Sequence, residues 1–190
     1  MKIAILGWGS LLWDEQPAFD DHHSGWLDDG PTLNLEFSRV SASRKGALTL
    51  VIDEKDGAPC RVAYSISKRA DPNDAICDLR CREGTILRRI GYWFADPAGQ
   101  TCDLVIPDGL SQWAKSKSLN VVIWTGLESN FPESAKQDFS TKAAVGYLQG
   151  LSSEAKAKAT EYVRRAPDFV KTPLRTTLES EPWFSNPLGE

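Results

Sequence analysis

Apolar residues fall in short runs through the first two thirds of the chain and at helical spacing through the last third. Ile3-Ala4-Ile5-Leu6 runs into Gly7-Trp8-Gly9-Ser10-Leu11-Leu12-Trp13, which predicts a first strand feeding a tight loop. Gly7 and Gly9 permit positive φ and close backbone approach. Successive N–H groups in such a turn converge on an anion or a carbonyl oxygen, with Trp8 and Trp13 expected to wall the same spot. The acidic stretch 14–31 reads as irregular. Three strands follow: Leu33, Leu35 and Phe37 alternate with Asn34 and Glu36; Ala47–Ile52 is apolar apart from Thr49; Val62, Tyr64 and Ile66 alternate with smaller or polar residues. Residues 53–57 are expected to join the second and third as a hairpin turn.

Asp71 before Pro72 is an N-cap with proline at the first helical position. In the helix it predicts, the inward stripe is Ile76, Leu79, Glu83, Ile86 and Ile90. A carboxylate at the centre of an apolar stripe is costly unless paired, and desolvation is expected to raise its pKa toward the range useful for proton transfer near neutral pH. A structural ion pair with Arg80, Arg82 or another arginine fits the same pattern, and Gly84 weakens the helix there. Strands are expected at 90–95 and 101–106, joined by a turn at 96–99, and again at 119–124. The last third predicts helices over 134–151 and 153–166, the second capped by Ser152 and stopped by Pro167. Pro173, Pro182 and Pro187 suggest that 167–190 runs as an extended C-terminal tail. With no repeat, low-complexity segment or linker, the expected fold is a single strand-rich α+β domain over 1–190.

The chain has 190 residues, a net charge of −4 and a pI near 5.3. That balance argues against nucleic acid as a partner, which needs a concentrated basic surface. No apolar segment is long enough to span a membrane, and the interrupted N-terminal run, followed by Asp14-Glu15, does not read as a signal peptide. Cys60, Cys77, Cys81 and Cys102 lack tandem spacing and read as reduced thiols in a cytoplasmic protein.

Several other chemistries fit poorly. Gly7-x-Gly9 lacks the third glycine and the helix of a dinucleotide site. Gly9-Ser10-Leu11 lacks the second glycine of a nucleophile elbow. His22 and His23 sit together in a polar loop and are poor triad candidates. Cys77 and Cys81, four apart on the predicted helix, have no further residues at ligand spacing, so no metal is expected. Most of the seven tryptophans are expected to pack in the core.

Two motifs carry a resemblance. The Gly7–Trp13 loop after an N-terminal strand is similar to the Tyr-Gly-Ser loop of the gamma-glutamyl cyclotransferase-like family. Leu79-Arg80-Cys81-Arg82-Glu83, followed by Ile90-Gly91-Tyr92, resembles that family's Leu-x-x-Arg-Glu and Gly-Tyr segment, closest to the ChaC-type branch, whose members cleave glutathione. The resemblance extends more loosely to Leu151. It implies a small mixed β-barrel with flanking helices and a lyase that releases 5-oxoproline from a gamma-glutamyl amine or peptide. It makes Glu83 the catalytic acid–base residue and Trp8, Gly9, Ser10 and Leu11 substrate-binding, with no metal, cofactor or protein nucleophile. Arg39, Arg44, Arg82 and Arg175 are candidates for the substrate carboxylate. The chain departs from the family at Trp8, which replaces the loop tyrosine and cannot accept a hydrogen bond. It departs again at 120–127 and 172–175, which suggests a side branch with its own substrate. The alternative within the same fold is a non-catalytic small-molecule-binding or regulatory member. Oligomeric state is not legible.

Overall fold

The computed structural model describes residues 1–96 and 102–185. In chain order, β1 (Ile3–Gly7) leads through a 3-10 turn (Ser10–Leu12) to α1 (Pro17–Asp20), then β2 (Thr32–Ser41), β3 (Ala47–Ile52), β4 (Ala58–Arg61) and β5 (Ala63–Ile66). Next come α2 (Pro72–Arg82), a 3-10 turn (Leu87–Arg89), β6 (Ile90–Phe94), α3 (Leu110–Ser116) and β7 (Val121–Thr125). The remainder is helical: α4 (Phe131–Ala135), α5 (Thr141–Gln149), α6 (Ser153–Arg165), α7 (Pro173–Leu178) and α8 (Pro182–Ser185). The contacts divide the chain into two compact units, Met1–Leu33 with Arg61–Leu127 and Asn34–Cys60 with Glu128–Glu190.

The first unit holds a four-stranded sheet in the order β5-β1-β7-β6. β1 runs parallel to β7 and antiparallel to β5, and β6 runs antiparallel to β7. Ile3, Ile5, Val121, Ile123 and Ile90 cluster on one face with Ala75, Ile76 and Leu79 of α2, together with Leu11 and Phe19. The alternate residues Ala4, Leu6, Val122 and Trp124 are equally buried. Strands buried on both faces read as continuous apolar runs, which is how β1 and β7 are written. Asp71 caps α2 by accepting from the Asn73 N–H, as its sequence predicts. Gly91 on β6 is required by close approach: the Trp124 indole lies across it, and a Cβ there would sit 2.1 Å from the ring.

The second unit holds a three-stranded sheet in the order β3-β2-β4 and the helices from α4 onward. The α+β class holds, but the expected barrel does not: the strands form two sheets, and no closed barrel is found among the described residues. β3 and β4 both pair with β2 rather than with each other, so 53–57 is not a hairpin turn. The predicted strand at 101–106 is absent over 102–106, where the chain is a loop; Thr101 and residues 97–99 of the predicted turn lie outside the described residues. The helix expected over 134–151 is split into α4 and α5, because Lys136 takes a left-handed conformation and Ser140 starts a new cap. Ser152 caps α6 as expected. Over 167–185 the tail is not extended: Pro173 and Pro182 each occupy a helix start, where a missing N–H costs nothing, and Leu174, Leu178 and Phe184 are buried, while Pro187 lies outside the described residues.

Glu36 breaks the alternation read from β2. It is fully buried, accepting from the Phe37 N–H at 2.7 Å and from the Leu174 N–H at 3.2 Å in the first turn of α7. Burial pushes its carboxyl above the ordinary glutamate range, opposed by hydrogen bonds from Thr172 and these two amides.

Two outcomes are expected. Gly91→Ala should destabilise the chain by about 3 kcal/mol, read as a lowered urea midpoint, because the Trp124 ring fills the space a methyl needs. For Glu36, the folded chain holds the proton more tightly than the unfolded one. Its neutral form therefore contributes stability that is present below the unfolded value and lost as pH rises through the raised one. The unfolding free energy of the wild type relative to Glu36→Gln should fall as pH rises above about 4 and then level off. A difference that stays flat or rises in a urea series across pH would refute this.

Candidate functional site

The site grows from the carboxyl end of β1. There the chain enters the Trp8–Leu12 turn, with Trp8, Gly9 and Leu11 buried and Ser10 half-buried. The Leu12 N–H donates to the Gly9 carbonyl, and the Trp13 and Asp14 N–H groups donate to that of Ser10. The ladder of the turn begins at Leu12, which leaves the Ser10 and Leu11 N–H groups outside it. Neither Gly7 nor Gly9 takes a positive φ, so the loop is not the cradle expected from glycine freedom. Gly7 serves instead as the spot where the Trp26 ring packs, 2.7 Å from where a Cβ would lie. At 6 % exposure Trp8 belongs to the core rather than walling an open spot.

Glu83 lies at the other side of this corner. Gly84 adopts φ +57°, a left-handed conformation that ends α2 at Arg82 and leaves Glu83 as the C-cap residue. The predicted stripe therefore stops at Leu79. Glu83 is half-buried, Ile86 is exposed, and Ile90 is buried as part of β6. Glu83 is thus not at the centre of an apolar stripe. Glu83 instead stands at a helix C-terminus, where the backbone carbonyls disfavour negative charge.

Arg82 joins the two parts. Its Nη2 donates to the Ser10 carbonyl at 3.1 Å and to the Asp14 carbonyl at 2.9 Å, holding the end of α2 against the loop. Its Nε is fully buried and has no hydrogen-bond partner among the described residues. Of the four candidate arginines, Arg82 alone lies in the same unit as Glu83 and the loop. Arg39 donates to the Glu128 carbonyl, Arg44 stacks over Tyr162, and the buried Arg175 donates to the Pro167 and Val170 carbonyls before α7.

Sequence reasoning missed Thr125. β1 pairs with β7 through Ile5↔Ile123, so two residues further the parallel pair ends with Gly7 beside Thr125, which itself pairs with Ile90. Alternation places the Thr125 side chain on the face of Val121 and Ile123, the face that α2 covers. Its Oγ1 is buried without a hydrogen-bond partner among the described residues. The signal available was a hydroxyl closing the apolar run Val121-Val122-Ile123-Trp124.

His23 supplies a second constellation that its sequence position concealed. Nδ1 lies 2.9 Å from Ser65 Oγ and Nε2 lies 3.3 Å from Asp20 Oδ1, the connectivity of a serine–histidine–aspartate triad. Ser65 is fully buried on β5 and donates its proton to the Ser24 carbonyl at 2.7 Å. The set therefore ties the 20–24 segment to β5, with the Ser65 hydroxyl proton already committed to backbone. The four cysteines are free thiols, with Cys77 and Cys81 exposed on α2. Among the described residues no group of three or more His, Cys, Asp or Glu side chains could hold a metal ion, and no helix is long and apolar enough to cross a membrane.

No protein-family model matches this chain, and no curated protein matches it.

Arg82→Met should release the loop while leaving the apolar stem of the side chain in place. Each lost hydrogen bond to the guanidinium is worth about 1.5–3 kcal/mol. Hydrogen exchange should quicken at the Leu12, Trp13 and Asp14 amides, with little change in the amides of β1; unchanged exchange in the loop would show that Arg82 does not hold it.

Proposed function

We propose that this chain is a gamma-glutamyl cyclotransferase-type lyase that releases 5-oxoproline from a gamma-glutamyl amine or peptide. The observation that supports it is the pair of hydrogen bonds from Arg82 to the Ser10 and Asp14 carbonyls, which bring the residue beside Glu83 onto the loop that the resemblance makes substrate-binding. The substrate's own α-amine attacks its γ-carbonyl carbon. A nitrogen–carbon bond closes the five-membered lactam, and the bond from that carbon to the leaving amine breaks. Both reacting groups are tethered in one molecule, so the protein has to select the folded-back conformer rather than gather two reactants. Glu83 takes the proton from the attacking amine and returns it to the leaving amine. The Ser10 and Leu11 N–H groups, outside the ladder of the turn, face the oxygen on which charge develops. The resemblance makes Trp8, Gly9, Ser10 and Leu11 the substrate-binding loop; Ser10 is the least buried of the four and Trp8 backs the loop from the core, and Trp8, in place of the family's tyrosine, points to a substrate other than glutathione. Four free thiols support a reducing, cytoplasmic setting.

A second reading is favoured by Trp8, whose burial and lack of a hydroxyl remove one polar contact from the loop. In that reading the chain binds a gamma-glutamyl compound or 5-oxoproline without turning it over. One experiment separates the two: 5-oxoproline release from a panel of gamma-glutamyl amines and peptides by wild type and Glu83→Gln. The lyase predicts turnover of at least one member and a loss of about 100-fold or more in Glu83→Gln. Absence of turnover across the panel, with binding retained by both proteins, selects the second reading.

A further inference from the structure

Among the described residues, two buried polar atoms of the first unit have no hydrogen-bond partner: Thr125 Oγ1 at the end of β7 and Arg82 Nε at the end of α2. Thr125 is 7 % exposed, and its Oγ1 is bonded to nothing. The register that ends β1 at Gly7 ends β7 at Thr125, and its side chain is on the face covered by α2. Arg82 closes α2 over that end, and its Nε is likewise sealed and unpartnered. Its Nη2 hydrogen bonds go to neutral backbone carbonyls, which orient the guanidinium but do not cancel its charge.

A hydroxyl and a guanidinium N–H have one acceptor chemistry in common. A carboxylate offers two oxygens that take an N–H and an O–H together, and the charged donor makes that pairing strong. Leaving two buried donors unmet is costly for a folded chain, and the cost is removed when a ligand supplies the missing acceptor. Resting on the cyclotransferase reading of this site, we propose that Thr125 Oγ1 and Arg82 Nε receive the α-carboxylate of the gamma-glutamyl substrate, the same carboxylate that persists in 5-oxoproline. Because both atoms are closed to solvent, the carboxylate enters as the Ser10–Leu12 turn shifts. The pair would make the chain selective for ligands that carry a free carboxylate next to the reacting amine.

The test is binding, independent of turnover. Chemical-shift titrations would compare 5-oxoproline and acetate, which carry the carboxylate, with 2-pyrrolidinone, the same lactam without it. They would use wild type, Thr125→Val and Thr125→Ser. The expected result is binding of both carboxylates, none of 2-pyrrolidinone, a weakening of about 10-fold or more in Thr125→Val, and recovery in Thr125→Ser. Valine also removes an unmet buried hydroxyl. The ligand-free Thr125→Val protein should therefore melt at the same temperature as wild type or about 2–4 °C higher, the opposite sign to its binding defect. Equal binding of 2-pyrrolidinone, no binding of either carboxylate, or Thr125→Val binding unchanged overturns the proposal. So does a Thr125→Val protein that melts well below wild type, which would assign the hydroxyl a structural bond. Carboxylate binding that depends on Thr125 in a protein without 5-oxoproline release keeps this inference and removes the lyase. Release with Thr125→Val binding unchanged does the reverse.

Discussion

One guanidinium organises the chemistry-bearing corner of this molecule. α2 is fixed to its sheet through Ala75, Ile76 and Leu79, and the loop after β1 is fixed through Leu11, but these apolar contacts are non-directional. The hydrogen bonds from Arg82 to the Ser10 and Asp14 carbonyls add the direction. They set where the last turn of α2 stands over the carboxyl ends of β1 and β7. The place of Glu83, one residue on, follows from them.

Gly84 sets the other half of that geometry. Its left-handed conformation stops the helix, so Glu83 is a half-buried cap residue rather than the middle of a buried stripe. In the proposed lyase this suits proton exchange better than deep burial would, since a general base has to reach the proton it moves. The His23, Ser65 and Asp20 set makes the same point in reverse. Its connectivity is that of a catalytic triad, yet the serine is inaccessible and its proton is held by the Ser24 carbonyl. A hydroxyl whose proton is already bonded to backbone serves as a staple.

Features written locally in the chain were legible before its structure. The Asp71 and Ser152 caps, the apolar runs of β1 and β3, and the loop after β1 depend on neighbours a few residues away. What was not legible depends on distant partners. The 53–57 turn looks like a hairpin until β2 is found to be the neighbour of both flanking strands. Glu36 looks solvent-facing by alternation until α7, more than a hundred residues later, brings the Leu174 N–H to it. The C-terminal prolines read as breakers because proline ends helices, whereas Pro173 and Pro182 begin them. For the candidate site the split is similar. Glu83 and the loop were visible as motifs, but the helix end that separates Glu83 from the apolar stripe, and the Arg82 bonds that hold the end of α2 to the loop, were not.

The orphaned donors connect this architecture to charge. The chain as a whole carries −4, a poor start for attracting an anionic substrate. The proposed substrate needs a cation held by backbone rather than by a carboxylate, and the Arg82 Nη2 bonds to the Ser10 and Asp14 carbonyls are of that kind. Had its Nη2 been held by an aspartate, the loop would be as well ordered, but the charge would be cancelled. Backbone carbonyls order the guanidinium through hydrogen bonds while leaving its charge to act. The division is within a single side chain: Nη2 holds the loop through the Ser10 and Asp14 carbonyls, while Nε is buried without a hydrogen-bond partner among the described residues, and it is this edge that the proposed carboxylate would meet.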